Sequence, residues 1–376
     1  MNVHKIIDVV SKAASIVNDN SPFHVYRTIG LGIGDNGISA ITTNGEITVQ
    51  AWNTTRIHQR VAVLSRLFLE AAKTLQGDVQ VELRDNQVYL TSDNAKFRLS
   101  VGDYDALPVP QDFGDQFAEV SGLAEVVRRV GSCADKERAR NLDSIYFDGK
   151  NAVATDGFRM AVMQFAFPQP AIIPIEAMRN AARLLGDDPV RIAVSDGQVM
   201  FSSPEMNIYT QTYQSNYINY QEIIQKVDTS CDKFLAINRA DLLRSLRRAA
   251  LFSTYVQMRI YNDANTVELT AEGELGSMTD KVYADADFEA LLRFNADYLS
   301  SLLSSAGSND VVFRIKDSHS PVGIDDQFGW RSVIMPAYID SNAAQNPSVP
   351  ANQVVGDADA DDEDVYVEYG EEDDYV

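Results

Sequence analysis

The sequence has few of the residues from which metal sites and nucleophilic active sites are usually built. It contains two cysteines, Cys133 and Cys231, and four histidines, and none of them shows the spacing of a metal-ligand pair. Two distant cysteines argue against a cysteine-built zinc site and suit a reducing compartment. We therefore expect no metal, no cofactor and no catalytic residue, and we expect that the protein is not an enzyme.

Long hydrophobic runs are also missing. No stretch comes near the ~20 consecutive apolar residues that a membrane helix needs. Met1 leads directly into an amphipathic pattern instead of the apolar core of a signal peptide. We expect a cytoplasmic protein with no membrane partner. Its 376 residues, 45% of them hydrophobic, are enough for two or three domains that each have a core.

Basic residues are absent from the end of the chain. Residues 341–376 contain 11 acidic residues and no Lys or Arg, whereas residues 1–340 contain 43 acidic and 32 basic residues. The net charge of −22 argues at first against nucleic acid, but half of it lies in this segment. We predict a disordered acidic tail over 341–376. It either serves solubility or competes with DNA or a partner for a surface of the body.

Three parts of the chain share one plan, in which an amphipathic helix leads into a strand that ends at an aspartate. The predicted helix and strand pairs are 64–75 with 79–85, 175–185 with 190–196, and 294–305 with 311–317. Each strand is apolar at its first, third and fifth positions, the period of a half-buried strand. A second helix pattern precedes each pair, over 3–18, 122–131 and 239–252.

These repeats predict an α+β chain of three domains, each with two helices packed on antiparallel sheets. The predicted domains are 1–117, 118–230 and 231–340. Ser121 and Asn238 are expected to cap helices, and Pro174 lies where a first-turn proline is tolerated.

Basic residues are concentrated on the predicted helices. Six helical segments (3–18, 60–76, 120–131, 174–185, 239–252 and 294–306) together carry a net charge of +7. The bases lie off the apolar stripes, as on any solvated helix face, or they form one surface that attracts phosphates without reading sequence. The candidate DNA-facing residues are Lys5, Lys12, Arg66, Lys73, Arg128, Arg129, Arg179, Arg183, Arg244, Arg247 and Arg248.

Residues 155–160, Thr-Asp-Gly-Phe-Arg-Met, resemble the middle-domain signature of the bacterial DNA sliding clamp, the β subunit of the replicative DNA polymerase III. Three more matches follow in the family's order, at 294–299, 320–322 and 334–336. The resemblance covers residues 1–340. It implies a head-to-tail homodimer that closes into a ring, with helices lining the bore. Such a ring encircles duplex DNA without sequence specificity and tethers the polymerase as a processivity factor.

The resemblance also implies a pocket between domains 2 and 3 that binds short peptide motifs of polymerase and clamp-loader subunits. Carried over by position, its residues are Leu142, Thr155, Gly157, Phe158, Arg159, Met160, Tyr255, Asn295, Tyr298, His319, Met335 and Pro336. The ring interface is predicted at Leu107, Leu251 and Phe252.

The chain departs from the family pattern in four places, one of which is at Ala337 and Tyr338, where the family usually has Met and Arg after the Met-Pro pair. Residues 217–222 replace an aromatic-Pro pair and a following base, and Glu222 brings an acid to one pocket wall. Residues 105–108 lack the expected aromatic, which leaves the strength of ring closure open. Thirty-seven residues follow Ile339, near which family chains typically stop.

Two other interpretations remain open. A clamp-like scaffold could bind partners without encircling DNA, and a carboxylate-based hydrolase could use Asp156. The GxGxxG match at residues 32–37 does not favour a dinucleotide site, because a strand-like segment follows it where such a site needs a helix. A hairpin turn is predicted there.

Overall fold

The computed structural model describes residues 1–108, 110–114, 117–135, 141–262 and 265–338. The predicted acidic tail, 341–376, lies outside the described residues. Within them, the fold combines α-helices with sheets whose strands all pair antiparallel. The predicted α+β class is confirmed.

The described residues contain seven α-helices, one more than predicted. They are α1 (Val3–Ala14), α2 (Ser65–Thr74), α3 (Leu123–Val130), α4 (Ile175–Leu185), α5 (Tyr220–Ser230), α6 (Arg239–Ala249) and α7 (Ala296–Ser305). All six predicted helices are present, with ends shifted by at most four residues. The expectation of two helices per unit misses α5.

The structure describes twenty-three strands, numbered here in chain order. In the first part of the chain these are β1 (Thr28–Ile33), β2 (Ile38–Thr43), β3 (Ile47–Trp52), β4 (Gln59–Leu64), β5 (Gln80–Arg84), β6 (Gln87–Thr91) and β7 (Lys96–Ser100). Next come β8 (Ala118–Val120), β9 (Ser144–Phe147), β10 (Asn151–Thr155), β11 (Arg159–Gln164), β12 (Ala171–Pro174), β13 (Val190–Ser195), β14 (Gln198–Ser203) and β15 (Met206–Gln211). The last are β16 (Lys233–Asn238), β17 (Tyr255–Tyr261), β18 (Thr266–Gly273), β19 (Gly276–Asp285), β20 (Ala290–Asn295), β21 (Asp310–Ile315), β22 (Val322–Asp325) and β23 (Trp330–Ile334).

The strands form three sheets, two of which cross the predicted domain boundaries. Their orders are β4-β1-β2-β3-β15-β14-β13-β8, β12-β9-β10-β11-β23-β22-β21-β16-β19-β18-β17-β20, and β5-β6-β7. Pairing of β3 with β15 joins the first predicted domain to the second, and pairing of β11 with β23 joins the second to the third. The division at 117/118 and 230/231 stays a prediction.

Helices pack in pairs against these sheets. α1 contacts α2, α3 contacts α4, and α6 contacts α7. The main apolar core lies between the helices and the sheets, with Phe68, Phe294 and Trp330 among its fully buried side chains. The amphipathic stripes read from the sequence are therefore the faces that the helices bury.

The helix starts are partly as predicted. Asn238 caps α6, because its Oδ1 accepts hydrogen bonds from the N–H groups of Ala240 (3.1 Å) and Asp241 (3.2 Å). The expectation for Ser121 is wrong: Gly122, with a φ of 80°, is the N-cap of α3. Glycine has no Cβ, so Gly122 adopts this left-handed conformation without steric strain. The start of α3 therefore has no side-chain cap.

Two of the strand-ending aspartates lie in two-residue hairpin turns. Asp85 and Asn86 have φ values of 49° and 57° between β5 and β6, and Asp196 has a φ of 46° between β13 and β14. Positive φ at both central residues suits the twist of a tight hairpin. The predicted hairpin at residues 32–37 is also confirmed, since Gly34 N–H donates to Gly37 O (3.0 Å) between β1 and β2.

Candidate functional site

The signature hexapeptide forms a self-contained turn between β10 and β11. The Asp156 carboxylate is buried and accepts hydrogen bonds from the Phe158 and Arg159 N–H groups and from Arg159 Nε, each at 2.9 Å. Thr155 Oγ1 donates to Arg159 O (2.7 Å) and accepts from Gly157 N–H (3.1 Å). Gly157 has a φ of 89°, which favours glycine. Asp156 therefore shapes a turn, and it does not offer the hydrolase interpretation a free carboxylate.

Arg159 connects this turn to α7. Its guanidinium lies 4.4 Å from the centre of the Tyr298 ring and donates to Tyr298 O (3.4 Å) and to Ser301 Oγ. The rings of Phe158 and Tyr298 are 6.2 Å apart. Because Met335 N–H also donates to Phe158 O (2.9 Å), the turn is joined to the strand end that follows β23. Met160 lies beside this turn on β11, which pairs with β23. The structure thus brings together five of the predicted pocket residues: Phe158, Arg159, Met160, Tyr298 and Met335.

The rim of this region carries exposed apolar side chains. Phe158, Met335 and Tyr255 are 47%, 41% and 40% exposed. Arg293 lies 4.7 Å from the Tyr255 ring, and its carbonyl accepts from Ala337 N–H (2.7 Å). Apolar surface beside a few fixed polar groups is the usual form of a peptide-binding groove.

The structure adds residues that the sequence analysis missed. Met160 belongs to an apolar cluster that we call the outer-face cluster, formed by Val153, Met160, Val162, Tyr220, Val227, Cys231 and Val333 with Tyr146, Tyr217, Ile218, Ile223 and Ile224 around them. Much of it comes from α5. The spacing of Tyr220, Ile223, Ile224 and Val227 is that of a buried helix stripe, and this signal could have revealed α5.

Hydrogen bonds hold α5 at both ends. Tyr220 Oη donates to Asp148 Oδ2 (2.6 Å), and Arg331 Nη1 donates to Asp228 Oδ2 (3.0 Å). Burial acts to raise the pKa of Asp148, but the bonds from Tyr220 and from neighbouring N–H groups outweigh it, so that pKa is lowered. The hydrogen bond from Arg331 lowers the pKa of Asp228. The helix is therefore tied to the β9–β10 turn at one end and to β23 at the other.

The departure at residues 217–222 is the start of α5. Asn219 Nδ2 donates to Glu222 Oε1 (2.5 Å), and Glu222 is exposed in the first turn. An acid at that position interacts favourably with the helix dipole. Ile218 fills the outer-face cluster beside it.

The remaining predicted pocket residues have other surroundings. Asn295 caps α7, with Oδ1 accepting from the N–H groups of Asp297 (3.0 Å) and Tyr298 (3.1 Å). The His319 ring lies 6.2 Å from the Tyr338 ring. Leu142 is half-buried ahead of β9, and Pro336 is half-buried between Met335 and Ala337. Thr155, Gly157 and Asn295 thus fix backbone around the groove.

The prediction that Arg129 faces DNA is wrong. Arg129 is 5% exposed, and its guanidinium is ion-paired with Asp326, whose side chain is fully buried. Arg129 Nε also donates to Ser305 O (3.2 Å). Arg129 lies off the apolar stripe of α3, but it is buried because the turn between β22 and β23 covers that side of the helix. The other ten predicted cations are exposed or half-buried.

One predicted interface residue is also wrong. Leu107 is 5% exposed and packs with Ile41, Ala62 and Tyr104. A Cβ at Gly30 would lie 2.5 Å from Leu107 Cδ1, so the space over Gly30 is filled by this leucine. Leu251, by contrast, is 76% exposed. Phe252 is half-buried against the β18–β19 turn, 3.3 Å from where a Cβ of Gly276 would lie.

Several strand edges stand open in the described part of the chain, and two of them, on β7 and β19, belong to strands of the first and third predicted domains. β7 pairs only with β6, and β19 pairs with β16 only at Ala284 and Asp285, which leaves its first eight residues unpaired on that side. Two other sheet ends are covered by passing segments: Ala337 N–H donates to Arg293 O on β20 (2.7 Å), and Tyr213 N–H donates to Ile172 O on β12 (2.9 Å). Open edges are the natural places for strand pairing with another chain.

Across the described ranges, no group of three or more His, Cys, Asp or Glu side chains is placed to hold a metal ion. None of the helices described there is long and apolar enough to span a bilayer.

Two family models match the chain. The model of the DNA polymerase III beta subunit, N-terminal domain, matches residues 1–110, and that of the central domain matches residues 119–219. Together they cover more than half of the chain.

Curated proteins and solved structures agree with these models. The beta sliding clamp of Buchnera aphidicola subsp. Acyrthosiphon pisum is 21% identical over 86% of this chain and 94% of its own, and that of Synechococcus elongatus is 24% identical over 78% and 81%. The crystal structure of the DNA polymerase III subunit beta from Pseudomonas aeruginosa superposes with a TM-score of 0.82 at 18% identity, covering 90% of this chain and 99% of that one. The beta subunit from Thermotoga maritima gives 0.78 at 19% identity, over 90% and 99%.

Proposed function

Because the chain belongs to the family of the DNA polymerase III beta subunit, the bacterial sliding clamps, we propose that it closes into a ring around duplex DNA and tethers a polymerase there. Its proposed location is the cytoplasm, and its proposed mode of action is tethering without catalysis. The division into domains 1–117, 118–230 and 231–340 is part of this proposal.

The observation that carries the proposal is a pair of open edges on different sheets, β7 in the first predicted domain and the first eight residues of β19 in the third. An edge that pairs with a different edge makes a heterologous contact, which gives a ring when the rotation closes. The charges favour this pairing, because β7 presents Lys96 and Arg98, whereas the β18–β19 hairpin carries Glu272 and Glu274. Leu251, exposed beside that hairpin, supplies apolar surface for the seam.

The groove around Phe158, Met160 and Met335 is the proposed site for short peptides of polymerase and loader subunits. The outer-face cluster supplies its apolar wall, and the exposed rim offers anchoring surface. Apolar anchors in such a groove supply most of the affinity of short peptides. With α5 fixed at both ends, the groove needs little reorganisation on binding.

Ring closure is tested with Leu251→Asp, a change at an exposed position that leaves the fold intact. We expect closed dimeric rings of the full chain in electron micrographs and a dimer mass in solution. The variant should give monomers, because it places a charge in an apolar seam. Leu67→Asp, at another exposed leucine on α2, is the matched control and should keep the ring.

DNA encirclement separates the clamp from the scaffold interpretation. Rings loaded on nicked circular DNA should stay bound through gel filtration and should be lost when the circle is cut, because a topological link depends on closed DNA. Binding that is indifferent to cutting contradicts encirclement. A protein that binds partner peptides but never forms rings or retains DNA is a scaffold.

A further inference from the structure

Most of the predicted DNA-facing cations already have carboxylate partners. Lys12 pairs with Asp8 (2.8 Å) and Glu205 (2.9 Å), and Arg248 pairs with Asp280. Four more pairs are Glu70–Lys73 (2.9 Å), Glu125–Arg128 (2.6 Å), Glu176–Arg179 (3.0 Å) and Asp241–Arg244. Arg129 is buried with Asp326.

Four of the eleven cations differ from the rest. Within the part of the chain that the structure describes, no carboxylate pairs with Lys5, Arg66, Arg183 or Arg247. Arg183 only donates to the neutral amide of Asn180 (2.9 Å). The four lie on four different helices, α1, α2, α4 and α6.

The pairing follows one rule on four helices. On α2, α3, α4 and α6 an acid precedes a base by three residues and is ion-paired with it. Neighbours three residues apart on a helix are about 5–6 Å apart. In these pairs the acid is in direct contact with the base, so a phosphate that approaches the base also meets the acid within the Debye length of about 8 Å at physiological ionic strength. Asp8 and Glu70 also lie close in sequence to Lys5 and Arg66, but their carboxylates are bonded to Lys12 and Lys73 instead.

The ion-paired bases and the unpaired bases do not differ in their exposure to solvent. The side chains of Lys73, Arg179 and Arg244 are 49%, 45% and 60% exposed. A phosphate can therefore reach them as easily as it can reach Arg66, Arg183 and Arg247, which are also exposed. What differs is the local charge. Counterions leave DNA only where net positive charge replaces them, and a neutral pair replaces none.

We propose that Lys5, Arg66, Arg183 and Arg247 make the salt-sensitive phosphate contacts of this protein, whereas the paired bases contribute little. This inference rests on the proposed function, since it takes the helices to face DNA. Because most bases on the DNA-facing helices are neutralised by an acid, those helices hold the duplex weakly. The closed ring around the DNA is what retains it.

Two triple variants of the full chain, matched helix by helix, test the inference. Arg66→Gln, Arg183→Gln and Arg247→Gln remove the unpaired bases of α2, α4 and α6. Lys73→Gln, Arg179→Gln and Arg244→Gln remove the paired bases of the same helices, with the same change in net charge. Affinity for a short open-ended duplex is measured by fluorescence anisotropy as a function of KCl concentration.

The first variant should reduce the slope of log affinity against log salt by about 0.9 for each phosphate that is no longer neutralised, and the second should leave the slope nearly unchanged. In a third variant, Glu70→Gln, Glu176→Gln and Asp241→Asn should free the paired bases and steepen the slope. Equal reductions of the slope in the first two variants, or an unchanged slope in the third, overturn the inference. Absence of duplex binding and of rings in the unchanged protein instead contradicts the proposed function.

Discussion

The Arg129 guanidinium is ion-paired with the Asp326 carboxylate, and the two side chains are 6% and 0% exposed. The pair joins α3 to the turn between β22 and β23. Trp330 Nε1 donates to Arg129 O (2.9 Å), and Gly307 N–H donates to Asp326 Oδ2 (2.9 Å), so backbone and side chains fix the same joint. A charge pair enclosed in this way is costly to break from one side.

Arg129→Met should lower the free energy of unfolding by about 3–5 kcal/mol, because it leaves the Asp326 carboxylate buried without its cation. Denaturant unfolding measures this loss. Arg128→Met, which removes an exposed base three residues from its acid, is the control and should cost at most about 0.5 kcal/mol. Adding Asp326→Asn to Arg129→Met should recover part of the loss. Equal losses in both single variants contradict the burial argument.

Two asparagine caps allow a comparison of stability with binding. Asn238→Ala and Asn295→Ala should each cost about 1 kcal/mol, because each asparagine accepts from two N–H groups at the start of its helix. Only Asn295→Ala should also weaken binding of a partner peptide, since α7 carries Tyr298 at the groove. Thermal unfolding and peptide titration give the two results. If the two variants bind the peptide with equal affinity, Asn295 has no part in shaping the groove.

Asp228 should make stability depend on pH in the acid range. Its lowered pKa means that the folded state favours the charged carboxylate, so its contribution is present above the ordinary aspartate pKa of about 3.9 and is lost as pH falls through the lowered value. Asp228→Asn should cost about 1 kcal/mol at pH 7, and the difference from the unchanged protein should shrink below about pH 4. Asp19→Asn, at an exposed position, is the control and should leave the free energy of unfolding at pH 7 nearly unchanged.

Deleting residues 341–376 removes 11 acids and no base. DNA association should become faster at low salt, and the gain should fade as the Debye length falls from about 30 Å at 0.01 M to about 3 Å at 1 M. Stopped-flow mixing with labelled duplex measures it. A tail of equal length with Asn and Gln for its acids should behave like the deletion. Tighter peptide binding after deletion, at high salt as well, instead favours competition for the groove.

Periodicity in the sequence was enough to locate six helices and the strands of the three repeats, because amphipathic faces in this fold are the faces that become buried. The α5 stripe carries the same signal at Tyr220, Ile223 and Val227, but this helix lies outside the repeated pattern of helices and strands that predicts the other six. Arg129 and Leu107 could not be placed from local sequence. Segments distant in the sequence cover both side chains. The β22–β23 turn covers Arg129, and β2 and β4 cover Leu107.

The groove could be predicted only in part for the same reason. The turn residues 155–160 form a local motif, so the sequence located them. The apolar wall combines β10, β11, β23 and α5, and β11 and β23 lie about 170 residues apart in the chain. Neighbours of that kind depend on tertiary folding, and no local pattern predicts them.

Pairing of β3 with β15 and of β11 with β23 has a mechanical consequence. Within a subunit, tension along the wall is borne by continuous ladders of backbone hydrogen bonds and by the Arg129–Asp326 pair. At the proposed seam it is borne only by one strand edge against another and by a small apolar contact around Leu251. A pull on the assembly should therefore part the proposed seam before it bends a subunit, and each subunit should stay rigid while the seam opens.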